Sequence, residues 1–191
     1  MRIRRLTTIA VAAVALLLGL TAPAMAARGS GPVPFAAQAE AAHLTSAQTD
    51  SLRAEVGRIM ATTGGRQVAL NKIELNGQGD VLVAIPGEAH PRDFSSPSGV
   101  LSDPCLEGPV HSGYFCAYSG QNFGGSEIKM YSCQSYGIPW DGNGSWVNDQ
   151  TPGTKARFYR NDGSLLYTTP APYASNRNYS TWTNVHTIRP C

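Results

Sequence analysis

Four cysteines and four histidines are the side chains of this 191-residue chain best suited to bind a metal or act as nucleophiles. None of His43, His90, His111 and His186 stands at the spacing of a catalytic partner or of an HExxH zinc motif. The chain also lacks a CxxC pair and the GxSxG elbow of serine hydrolases. Catalysis by a reacting side chain is therefore disfavoured, and we predict that the protein is not an enzyme.

The cysteines are better explained by the compartment in which the chain folds. Residues 1–26 have a basic start, an uncharged apolar stretch and the cleavage pattern Ala24-Met25-Ala26, which together are typical of a signal peptide. In an exported chain, an even number of cysteines favours disulfides, so we expect a secreted, extracellular protein with two of them. The four candidate residues are Cys105, Cys116, Cys133 and Cys191.

Charge and hydropathy exclude two classes of partner. Without the three arginines of residues 1–26, the chain carries 12 basic and 13 acidic side chains, a net charge of −1. Such a charge gives no strong attraction to nucleic acid or to an anionic membrane. No apolar run outside the signal approaches the roughly 20 residues of a membrane span. We expect a monomer that needs no cofactor.

Aromatic side chains divide the exported chain into two parts. Only Phe35 and Phe94 precede position 100, whereas fourteen aromatic residues lie between Tyr114 and Trp182. Because large aromatic side chains supply much of the buried area of a small core, we place the packed domain at residues 105–191.

The amino-terminal part is predicted to hold less structure. Residues 27–44 are mostly Ala, Gly and Pro without a periodic pattern, and we expect them to be disordered. Residues 86–104 are rich in Pro and Ser and are interpreted as a linker. Between them, residues 45–85 are predicted to form a helix and a β-hairpin.

The helix should run from Thr45 to Thr62, because Thr45 and Gln48 fit a capping box. The hairpin should join strands at 67–75 and 80–85 through a turn at 76–79. A helix on one hairpin buries little apolar area and would be marginal alone. We interpret the unit as a removable pro-segment, with a spacer as the alternative.

Short runs rich in aromatic and β-branched residues follow one another from residue 114, separated by turn sequences. This pattern predicts an all-β sandwich or barrel. The predicted strands are 114–118, 127–133, 145–147, 155–159, 164–168 and 185–188.

One stretch within these strands is more specific. Tyr118 is followed seven positions later by Gly125, with Phe123 between them and a strand after them. This arrangement resembles the βγ-crystallin Greek-key motif, in which an aromatic ring covers a folded hairpin and glycine takes a conformation closed to residues with a Cβ.

Further short stretches of residues 105–191 extend this likeness: Gly113-Tyr114-Phe115-Cys116-Ala117-Tyr118, Phe123-Gly124-Gly125, Met130-Tyr131-Ser132-Cys133, Asn148-Asp149-Gln150 and Ile188-Arg189-Pro190-Cys191. With these stretches, residues 105–191 resemble the secreted bacterial peptidase inhibitor family 36. The resemblance implies a βγ-crystallin-like Greek-key sandwich and inhibition of thermolysin-like zinc metalloproteases. It therefore also implies an extracellular protease as the partner.

An inhibitor needs a rigid surface loop rather than a reactive group. If Cys105 pairs with Cys116, residues 105–116 form such a loop, and Cys133 pairs with Cys191, although four cysteines allow three connectivities. Within it, Cys105, Leu106 and Glu107 are the candidate protease-binding residues, with Leu106 entering the apolar pocket of the enzyme. An ordinary disulfide-stapled connection is the alternative.

Two other binding functions remain open. Asn148 and Asp149 begin a pattern similar to that of calcium-binding crystallins, although a role as turn residues explains them better. An aromatic face made by Tyr136, Trp140 and Trp146 could stack on sugar rings, which would make the domain a glycan-binding module. Burial of these rings is the alternative.

Overall fold

The computed structural model describes residues 35–96 and 103–191; the predicted signal peptide lies outside these ranges. The helical elements are α1 (Ala36–Ala41), α2 (Ser46–Thr63) and a 3-10 turn (Gln121–Phe123). The strands are β1 (Arg66–Ala69), β2 (Lys72–Glu74), β3 (Gly79–Leu82), β4 (Tyr114–Tyr118), β5 (Glu127–Met130), β6 (Tyr136–Gly137), β7 (Gly144–Asp149), β8 (Arg157–Tyr159), β9 (Leu165–Thr168), β10 (Ala174–Tyr179) and β11 (Thr187–Arg189).

Two antiparallel sheets organise the described residues. The larger sheet has the order β1-β2-β3-β5-β4-β7-β10, and the smaller has the order β6-β11-β8-β9. The chain is therefore mostly β with a small helical segment before the sheets, which confirms the predicted all-β class.

The sheets share an aromatic core. Phe158 of β8 lies with its ring centroid 5.9 Å from that of Phe115 in β4 and 6.5 Å from that of Trp146 in β7. All three side chains are buried, as is Trp182. Burial of such large rings supplies much of the apolar area that stabilises a domain of this size.

Helix α2 closes this core and begins as predicted. Thr45 and Gln48 form the reciprocal capping box, and the helix ends before Gly64, whose φ of 71° is accessible to glycine. Its buried face, Leu52, Val56 and Ile59, packs into the same apolar cluster as residues of the larger sheet.

The hairpin of residues 45–85 differs from the expectation. The predicted first strand reverses after Ala69 and forms both β1 and β2, while the predicted turn at 76–79 joins β2 to β3. Strand β3 then pairs with β5 through four residue pairs, including Val81 with Ile128. The hairpin is thus part of the larger sheet rather than a separate unit, because only pairing with β5 satisfies the second edge of β3.

Two expectations about the flanking segments also require correction. In the region predicted to be disordered, α1 forms and the Gln38 side chain accepts a hydrogen bond from the Leu70 N–H, at 2.6 Å. The predicted linker is anchored to the sheet, since Lys72 and Asp93 form an ion pair at 3.0 Å and Ala89 accepts a bond from Gly125 N–H. Tertiary contacts, which composition does not reveal, order residues 35–44 and 86–96, the described parts of these two segments.

No helix within the described ranges is both long enough and apolar enough to cross a membrane.

Candidate functional site

The candidate loop, residues 105–116, is closed by a disulfide. Cys116 lies in the middle of β4, and its bond to Cys105 fastens the start of the loop to the outer face of the larger sheet. A second disulfide joins Cys133 to the terminal Cys191. Both cysteines of the loop are buried, whereas residues 106–111 are exposed.

Asp103 fixes the start of the loop. Its Oδ1 accepts a hydrogen bond from the Cys105 N–H at 2.8 Å, and its carbonyl accepts one from the Glu107 N–H at 2.9 Å. Its Oδ2 accepts a third from the hydroxyl of Tyr118 in β4, at 2.8 Å. This role of Asp103 was not predicted, although Asp commonly accepts a hydrogen bond from the N–H two residues later in an Asx turn.

Asp149 fixes the other end. Its two carboxylate oxygens accept hydrogen bonds from the N–H groups of His111 and Ser112, at 2.6 and 2.9 Å. Its carbonyl accepts a third from the Gly113 N–H at 3.0 Å. This buried candidate for calcium binding therefore holds the protein's own loop.

The other calcium candidate, Asn148, is engaged in the same way. Its amide group donates to the carbonyls of Thr154 and Pro170, at 3.1 and 3.0 Å, and its oxygen accepts from the Gln150 side chain. These bonds tie β7 to the turns around it, which fits the alternative role of Asn148 and Asp149 as turn residues.

A single cluster of three potential metal-binding groups exists within the described ranges. It consists of Asp103, Cys105 and Cys116. Because the two sulfur atoms are bonded to each other, they are not available as thiolate ligands.

A buried acidic pair lies beneath the start of the loop. Glu127 in β5 is almost completely buried, and this burial, together with the nearby Asp103 carboxylate, raises the pKa of its carboxyl group well above the usual value. Burial and the same two acids also raise the pKa of Tyr118.

The Tyr118 motif forms a compact folded hairpin beside the loop. The rings of Tyr118 and Phe123 lie 5.5 Å apart, and both are buried. Gly125 has a φ of 77°, and a Cβ there would collide with the Ser119 side chain. That hydroxyl accepts a hydrogen bond from the Ser126 N–H at 2.7 Å, which closes the fold of the hairpin.

The predicted aromatic face does not form. Tyr136, Trp140 and Trp146 are only 6%, 7% and 1% exposed, so none presents a ring to a ligand. A cleft of about 540 Å³ borders Trp140 and the turn at 160–162, but its remaining lining is mostly polar. Stacking on sugar rings requires exposed aromatic faces, so the structure does not favour the glycan-binding alternative.

Comparison with known proteins gives one family. The model of Peptidase inhibitor family I36 matches residues 108–164, which confirms the resemblance found in the sequence. No curated protein and no solved structure shows a significant match. The matched segment runs from the candidate loop to the turn after β8, and the two disulfides nearby fit a secreted protein.

Proposed function

We propose that this protein, whose residues 108–164 match Peptidase inhibitor family I36, blocks a thermolysin-like zinc metalloprotease outside the cell. The family supports a peptidase inhibitor, not an enzyme, as the general function. The metalloprotease target and the loop that meets it are the parts we add. The inhibitor acts as a monomer by occupying the substrate cleft.

The observation that carries the proposal is the double anchoring of the exposed loop. Asp103 and the disulfide hold its start, and Asp149 holds its end, so residues 106–110 project from a fixed frame. A loop held in this way loses little conformational entropy when it binds, which is how a rigid inhibitor gains affinity without reacting.

Leu106 is the residue proposed to fill the apolar pocket of the enzyme. Its side chain is 39% exposed, and it directly follows Cys105, whose sulfur is bonded to β4. Val110, at 67% exposed, is the other exposed large apolar side chain of the loop. If the protease cut the peptide bond between Cys105 and Leu106, the Cys105–Cys116 disulfide would keep the new carboxyl end in place, so the peptide bond could reform.

The test is to titrate thermolysin, and the serine protease subtilisin, with the exported chain and with its Leu106→Lys, Val110→Lys and Leu165→Lys variants. We expect inhibition of thermolysin and a rise of about 30-fold in the inhibition constant for Leu106→Lys. Leu165→Lys, at an exposed position of β9 in the other sheet, is the matched control and should change nothing.

Other outcomes separate the parts of the proposal. If only Val110→Lys weakened inhibition, the loop would still be the binding segment, but Val110 rather than Leu106 would fill the apolar pocket. Inhibition of subtilisin alone would overturn the metalloprotease target, and unchanged constants for both loop variants would remove the loop.

Inhibition is further proposed to need no cofactor. The side-chain oxygens of Asp149 and Asn148 already accept hydrogen bonds from other groups of the protein, whereas calcium requires six to eight oxygen ligands. Adding calcium or a chelator to the inhibitor alone should therefore leave its melting temperature unchanged. A rise of several degrees with calcium would contradict this.

A further inference from the structure

Exposed large apolar side chains are concentrated around the candidate loop. Among the described residues they are Leu106, Val110, Tyr131, Leu165 and Tyr173. Leu106 and Val110 belong to the loop, and only Leu165 lies in the smaller sheet. The two tyrosines are 60% and 52% exposed.

The register of the larger sheet places both tyrosines in one row at the base of the loop. Tyr131 directly follows β5, where Met130 pairs with Phe115, so it stands opposite Tyr114. Tyr173 directly precedes β10, where Ala174 pairs with Asn148. The same row continues through Asp149, which pairs with Tyr114.

Tyr131 packs against the end of the loop. Its ring lies 5.1 Å from that of Tyr114, and a Cβ on Gly113 would lie 3.2 Å from its edge. Its backbone N–H donates to the carbonyl of Gln78 at 3.0 Å, which fixes the residue to the β2–β3 turn. The ring is therefore exposed but held in position.

Tyr173 lies on the opposite side of the loop. The pKa of its hydroxyl is raised by partial burial and by the carboxylates of Asp149 and Asp103, the two residues that anchor the loop. Strands β5 and β10 are three spacings apart in the sheet order, so the two tyrosine backbones stand about 14 Å apart.

Exposed tyrosines around a rigid projection are typical of a protein-binding surface. Tyrosine offers a large, stiff ring with a polar tip and is enriched among the residues that dominate interface energies. The family match includes the end of the loop and Tyr131, so the partner is a protease.

We propose that Tyr131 and Tyr173 contact the protease on either side of the loop, at the rims of its substrate cleft, a proposal that rests on the proposed function. The loop fills the cleft and the tyrosines slow dissociation. The protease surface they meet is apolar, and the aromatic rings rather than the hydroxyl groups make most of the contact.

Surface plasmon resonance with thermolysin, or with subtilisin if only that enzyme is inhibited, tests the proposal on the exported chain. Tyr131→Ala and Tyr173→Ala should each raise the dissociation rate at least about tenfold with little change in the association rate. Leu165→Ala, also an exposed apolar residue, is the matched control and should match the wild type. Tyr131→Phe keeps the contact with Tyr114 and should retain most of the affinity.

The outcomes distinguish the two proposals. Wild-type rates for both tyrosine variants, with weakened binding of Leu106→Lys or Val110→Lys, would overturn the rim contacts and leave the inhibitory loop intact. An equal loss for Leu165→Ala would also overturn them. If the wild type bound neither enzyme, the proposed function and this inference would fail together.

Discussion

Two parts of the chain, residues 35–96 and residues 103–191, share one core. They differ in the side chains and covalent bonds that stabilise them. The first part contains no cysteine and contributes an apolar helix face and three strands. The second part contains both disulfides and most of the aromatic side chains. The sequence changes composition between them, yet the sheet does not end there, because β3 pairs with β5.

A boundary in composition is therefore not always a boundary in structure. The family match covers only residues 108–164, whereas Val81, Ile73 and α2 lie in the same buried cluster as Ile128. Removal of residues 45–85 as a pro-segment, which stays a prediction, would leave the β3-facing edge of β5 unpaired and expose that cluster.

Separating the two parts should have the largest effect. If a cleavage site replaces residues 97–102, the cut chain should still elute as one particle, because strand pairing and the shared core hold the pieces together. The fragment 103–191, refolded alone, should lack a cooperative thermal transition by calorimetry. A cooperative melt of that fragment, within a few degrees of the intact chain, would show that the parts are independent.

The two disulfides should differ in what they stabilise. A disulfide that closes a longer loop removes more entropy from the unfolded chain. The Cys133–Cys191 bond joins residues 58 positions apart and should add about 4 kcal/mol to the free energy of unfolding. The Cys105–Cys116 bond joins residues 11 positions apart and should add about 3 kcal/mol. Paired Cys→Ser variants measured by urea unfolding should follow this order. Inhibition should follow the opposite order, and equal inhibition by both variants would contradict the role of the loop.

A double-mutant cycle measures the energetic coupling between residues 35–96 and residues 103–191 where β3 pairs with β5. Val81 and Ile128 are fully buried and directly opposite in β3 and β5. Ile128→Ala should reduce the free energy of unfolding by about 3 kcal/mol and Val81→Ala by about 2 kcal/mol. The double variant should depart from their sum by at least about 0.5 kcal/mol in urea titrations. If the two single-variant changes in the free energy of unfolding were strictly additive, Val81 and Ile128 would not be energetically coupled.

The smallest expected effect is a pH dependence beneath the loop. The folded-state pKa of Glu127 is raised by burial and by Asp103, so the folded chain holds a proton that the unfolded chain releases above its ordinary pKa near 4.5. Stability should therefore fall as the pH rises from that value through the raised one.

Glu127→Gln removes this titration and should raise the melting temperature at pH 8 by a few degrees, with little change at pH 4. Glu107→Gln, at an exposed position, is the matched control. A variant that is less stable than the wild type at pH 8 would indicate that Glu127 is ionised and favourably paired.

Features that depend on neighbouring residues could be predicted from the sequence. The capping box of α2, the turn at 76–79 and the aromatic-to-glycine spacing from Tyr118 to Gly125 each involve a few consecutive residues whose conformations are restricted by their own chemistry. Tyr131 and Tyr173 had no such signal, because their shared row exists only in the sheet register.

The all-β class, the helix before the sheets and the family could be predicted from the chain alone, since periodicity, caps and motifs are local properties. Only the folded structure shows that β1, β2 and β3 complete the larger sheet and that the polar segment Ala174–Tyr179 is a strand. A strand is stabilised by the partner it pairs with, and that partner is distant in sequence.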